Sequence, residues 1–154
     1  MATVKKMASG ASWQKLSHHG KENYHKFCDH LQRWAARMGY DDSWEIHVKY
    51  AQTQKYLAQC DELDMVKYRR IMVTASSKLL DDTEPALEAT AAHELSHIAL
   101  YPYTRLAERL ERLSVPAVKG EDDGPRPIME ELHEREEEVV TRLELALMSK
   151  AEGE

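Results

Sequence analysis

The stretch that most constrains the fold is WEIHVKY, residues 44–50. Apolar Trp44, Ile46, Val48 and Tyr50 alternate there with Glu45, His47 and Lys49. A period of two puts each set on its own side of an extended chain, so the segment predicts a half-buried strand and brings a sheet into the fold. Just upstream the period changes. Tyr24, Phe27, Leu31, Trp34 and Met38 recur every three or four residues, which predicts a helix over 16–38. Gly39 stands where a left-handed cap would end it.

Further along, residues 66–75 (VKYRRIMVTA) are β-branched and aromatic and read as a strand. Residues 53–60 (TQKYLAQC) read as another strand or as a short helix. After Asp81-Asp82-Thr83, with Glu84 and Pro85 in the first turn, a helix is predicted through Leu87, Leu95 and Ile98 to about Leu100, stopped by Tyr101-Pro102. A short amphipathic piece with Leu106, Leu110 and Leu113 follows. Residues 114–127, with three prolines and two glycines, read as a loop, and a last helix begins near Ile128. The expectation is an α+β fold. A small antiparallel sheet of about three strands would pack against an N-terminal helix, the helix after residue 83 and a C-terminal helix. Residues 1–12 read as an unstructured tail and 13–150 as one domain. No internal repeat is visible.

The chain has 154 residues, 42% apolar and 31% charged, the balance of a globular rather than a disordered protein. No apolar run is long enough to cross a bilayer, and the basic amino terminus has no apolar segment behind it, so it does not read as a secretory signal. Cys28 and Cys60 are too few for a disulfide scaffold. A reduced, cytoplasmic setting is the expectation. Residues 1–80 carry 13 Lys/Arg against 8 Asp/Glu and residues 81–154 carry 8 against 19, within a net charge of −6. The basic residues are scattered and the C-terminal half is acidic, which argues against nucleic acid as a partner.

One motif carries chemistry: His93-Glu94-Leu95-Ser96-His97, an HExxH. On a helix, residues four apart point the same way, so both imidazoles can face one ion from successive turns. Glu94, on nearly the same side, can reach a water held there without being a ligand. Zinc suits two imidazoles and a carboxylate, because it accepts tetrahedral N/O coordination and leaves a position open. The ordinary alternative is a pair of surface histidines flanking a solvated acid. A third ligand is required, and the metzincin continuation is excluded, since Leu100 and Tyr103 stand where glycine and histidine would be needed. The remaining source is HEREEEVV, residues 133–140. Glu136 shares a helix face with Val140 and Leu143, and Glu137 with Val140 and Glu144, so periodicity leaves both open.

The strand segments WEIHVKY and YRRIMV, the helix ALEATAAHELSHIAL and the final helix EEEVVTRLELAL together resemble the minimal, gluzincin-like zincin metallopeptidase domains common in phage and prophage proteins. The resemblance covers roughly residues 25–148, and a more distant one is to ImmA/IrrE-type and SprT-like domains. It implies a third ligand on the last helix just ahead of a paired aliphatic step, which favours Glu137, with Glu136 second. A SprT-like site would use a histidine, for which His133 is the downstream candidate. It also implies a zinc-dependent peptidase with His93, His97 and Glu137 as ligands and Glu94 as general base. A sheet-edge strand within 66–76 would pair with an extended peptide. The partner is then a peptide or protein, with neither nucleic acid nor membrane. The competing reading is a non-catalytic module in which zinc staples the two C-terminal helices.

Other residues have plainer readings. Tyr101 and Tyr103 are candidates for oxyanion stabilisation beside their ordinary role in packing. His25 and Asp29, four apart, fit a solvated helix face better than a chelate. His18-His19 sits at a helix entry. Trp13, Trp34 and Trp44 read as core or core-edge residues, and Cys28, beside Phe27, as buried.

Overall fold

A computed structural model describes residues 1–61, 69–114 and 127–151. Among them, four strands form one sheet: β1 (Thr3–Lys6), β2 (Glu45–Ala51), β3 (Ala58–Asp61) and β4 (Arg70–Ser76). The helices are α1 (Gly10–Lys15), α2 (His18–Arg37), α3 (Ser77–Leu80), α4 (Glu84–Ser114) and α5 (Pro127–Ala151). The fold is α+β.

The period-two segment becomes β2, with Ile46 and Val48 fully inside and Lys49 outside. The helical spacing becomes α2. Tyr24, Phe27, Leu31 and Trp34 form its buried stripe, the Ser17 side chain caps the Gly20 N–H, and Gly39 takes φ +80° just past the end. Ile46 and Val48 lie beside Ile71 and Val73 in register. Together with Leu87, Ala91, Leu95 and Ile98 of α4, these side chains close a single core between the sheet, α2 and α4.

The sheet departs from the expected antiparallel meander. Its order is β1-β2-β4-β3; β1 and β4 both run parallel to β2, and β3 alone runs antiparallel, beside β4. β4 is therefore an interior strand, and Ile71 to Ser76 are all buried, as a strand covered on both faces must be. Within 53–60, only the end joins a strand. The open edge on that side is β3, where the expectation had placed it within 66–76; residues 66–68 lie outside the described residues.

The amino terminus is a second correction. Residues 3–6 form β1 rather than part of an unstructured tail. Their backbone finds the vacant edge of β2, with the Thr3 N–H donating to the Trp44 carbonyl and the Met7 N–H to that of Val48. Ala2 is buried in the core. A strand so short carries no alternation strong enough to read alone.

Pro102 supplies the third. It lies inside α4, which continues to Ser114 where a stop was expected. A proline in a helix removes one hydrogen bond. Here the turns on either side of it gain a neighbour: Leu100, Thr104 and Ala107 line a shallow apolar depression with Glu136 and Val139 of α5. Packing against α5 offsets the lost bond, and the short amphipathic piece is simply the end of the same helix.

Candidate metal centre

His93, Glu94 and His97 lie in the first half of α4, where Glu94 is buried and the two imidazoles reach a partly exposed face. The four-residue spacing brings the two Nε2 atoms to 3.3 Å of each other. α5 crosses this face, seated by Val140, the one side chain classed as buried among those described on it. Its Glu137 straddles the pair: Oε2 is 3.4 Å from His93 Nε2, and Oε1 is 3.4 Å from His97 Nε2. Donor atoms of these three residues all lie within 4.8 Å of one another, the one such group of His, Cys, Asp or Glu among the described residues.

The outer nitrogens are also engaged. His93 Nδ1 is 3.1 Å from Glu144 Oε2 and His97 Nδ1 is 3.5 Å from Glu136 Oε1. Glu136 thus stands on the far side of His97 from the convergence point, while Glu137 stands at it. The side chain of His133 lies outside the described residues.

Glu94 is only 5% exposed. Burial raises its carboxyl above the usual carboxylate range. His97, His93 and a hydrogen bond from the Cys60 backbone N–H pull the other way without cancelling it, and Glu137 adds to the rise. For His97, burial alone would lower the imidazole. The Glu136 hydrogen bond and the charges of Glu94, Glu137 and Glu136 outweigh it, and the net direction is up. The Cys60 thiol is pushed up by burial first, then by Glu94 and Asp61, so it is not a ready thiolate.

β3 forms the other wall. The Ser76 N–H donates to the Leu57 carbonyl, and Gln59 sits opposite Thr74 and Asp61 opposite Met72. By alternation, the backbone groups of Ala58 and Cys60 face away from β4 towards the site. A cleft of about 390 Å³ runs between Ala58, Gln59 and Cys60 on one side and His93, His97 and Glu137 on the other. It adjoins a second recess of about 380 Å³, lined by Leu57, Ala58, Ala86, Ala89 and Thr90 together with His93, Glu94 and Glu144.

Neither Tyr101 nor Tyr103 is among the residues lining this cleft. Arg105 lies over the Tyr101 ring, and Tyr103 is 71% exposed. The oxyanion role suggested by their closeness in sequence is not supported. Asp29 pairs with Lys6 while the His25 ring meets the edges of Trp13 and Tyr24, so these two do not form a chelate. Sequence reasoning missed Glu144 as a neighbour of His93, although its seven-residue spacing from Glu137, about two helical turns, puts both on one face.

Compared with known proteins, this chain matches no protein-family model, no curated protein and no solved structure.

Proposed function

We propose that this chain is a zinc-dependent peptidase built on a minimal zincin-like α+β domain. The observation that carries the reading is the convergence of His93 Nε2, His97 Nε2 and the Glu137 carboxylate beside a buried Glu94. Ligands at about 2.1 Å from a tetrahedral ion stand about 3.4 Å apart. The two Nε2 atoms, 3.3 Å apart, meet that spacing, and each has a different oxygen of the Glu137 carboxylate at 3.4 Å; two imidazoles with one carboxylate leave a position open for chemistry. His93, His97 and Glu137 would hold the ion. When bound, zinc supplies the Lewis acidity that makes a water nucleophilic near neutral pH and polarises a carbonyl.

The chain's own groups do the rest. Glu94 takes a proton from the attacking water and delivers it to the departing amine. Its burial suits both acts, because a carboxylate with raised proton affinity accepts more readily than a solvated one. The cleft beside β3 gives an extended peptide a place to lie. The Cys60 N–H is engaged by Glu94, but the outward Ala58 backbone belongs to a strand paired with no other strand on that side among the described residues, and adding a strand there uses ordinary ladder hydrogen bonds. The substrate expected is therefore an unfolded segment or a flexible loop.

The test is digestion of a peptide library by wild-type protein and by Glu94→Gln, with zinc measured in both. Cleavage by wild type alone, at equal zinc content, supports the peptidase. Zinc in both with cleavage by neither makes the centre a structural staple.

A further inference from the structure

We infer that Glu144 and Glu136 are positioning residues of this centre, each holding one ligand imidazole by its outer nitrogen, so that a single helix supplies both the third ligand and the orientation of the other two. This rests on the zinc reading above.

The geometry starts with the direction of the helices. His97 meets Glu136 and His93 meets Glu144, so α4 and α5 run antiparallel where they cross. Glu137 and Val140 fall between. Val140 is fully buried and fixes the depth of α5, Glu137 faces both Nε2 atoms, and the two remaining carboxylates fall outside the pair. An imidazole ligates through a nitrogen that carries no proton, so its proton must sit on the other one. A carboxylate on Nδ1 accepts that proton in a hydrogen bond and fixes both the tautomer and the ring's rotation about χ2. At 3.1 Å the Glu144 contact is a hydrogen bond to His93; the Glu136 contact to His97 is 3.5 Å. Both carboxylates are sheltered, 17% and 11% exposed, whereas Glu137 is 60% exposed. Shelter weakens screening and makes each contact count. By contrast, Glu138 of the same helix pairs with Arg135 and Arg142 on the outer surface.

The test measures Zn²⁺ affinity of the full chain by competition with a chromophoric chelator, for wild type, Glu144→Ala, Glu136→Ala and the control Glu138→Ala. The inference predicts that the first two bind zinc about 10- to 100-fold more weakly and that the control is unchanged. The Co²⁺-substituted forms should keep an absorption spectrum of tetrahedral type, since no ligand is removed. If Glu144→Ala does not fold, Glu144→Gln keeps the shape without the charge and should still lose about tenfold. Wild-type binding with both alanine variants within about twofold of it overturns the inference and leaves the centre standing. Absence of zinc binding by wild type, unchanged in His93→Ala, removes the centre and the inference together.

Discussion

Glu94 sits inside a centre rich in carboxylates, yet it alone of that set is almost wholly out of water. Its folded-state proton affinity is raised by burial. The contribution to stability is therefore complete below the unfolded carboxyl value and lost as pH rises through the folded one. Burial opposes ionisation of this carboxyl, a cost that function retains. Replacing it by glutamine should leave zinc bound, lower peptide hydrolysis by about 10²- to 10⁴-fold, and raise the urea midpoint of the metal-free protein at pH 7. A lower midpoint would show that the carboxylate stabilises the fold. The residue-scale site was legible in uneven degrees. The four-residue spacing of His93 and His97 is enough to see that they share a face. In the glutamate run, periodicity alone left Glu136 and Glu137 equivalent, because both border the Val140 face. The resemblance favoured Glu137, and the structure brings Glu137 to the convergence point with Glu136 behind His97.

At the level of elements, what could be read was what a local period encodes. The stripes of α2 and β2 depend on side chains within a few residues of each other, and both segments fold as their spacing demands. Strand partnership depends on distant chain. Neither the parallel pairing of β2 with β4 nor the recruitment of β1 leaves a local mark. Pro102 shows the converse, a strong local signal overruled by packing against α5. That exposed proline still costs α4 one backbone hydrogen bond, so Pro102→Ala should stabilise the protein by up to about 3 kcal/mol in urea unfolding. A destabilised variant would mean that the proline sets a bend the packing requires.

Across the whole molecule, α2 and α4 meet around a buried histidine. His30 is 2% exposed on its side chain, with Arg33 Nη2 at 2.6 Å from Nδ1 and with Glu88 and Glu84 at 3.8 and 3.9 Å. Burial, then Arg33, lowers its proton affinity below the ordinary 6.5, against the pull of Glu88, Glu84 and Asp29. A depressed value means stability present above pH 6.5 and lost as pH falls through the folded-state value. Unfolding free energy measured over that range should fall more steeply in wild type than in His30→Gln; equal slopes would contradict the assignment. α5 is held differently. Its described side chains include a single buried one, Val140, and it brings Glu136, Glu137 and Glu144 against α4. Those acids repel one another unless histidine protons or a cation sit between them. Zinc should therefore govern the docking of α5. A strong chelator is expected to lower the melting temperature and to speed amide exchange in α5 ahead of the sheet and α2.

The most direct measurement is the zinc content, by elemental analysis, of protein purified without added metal, alongside His93→Ala and Glu137→Ala. The centre predicts about one zinc per wild-type chain and loss of most of it in either variant. Only traces of metal in wild type, or an amount that neither substitution alters, would contradict it.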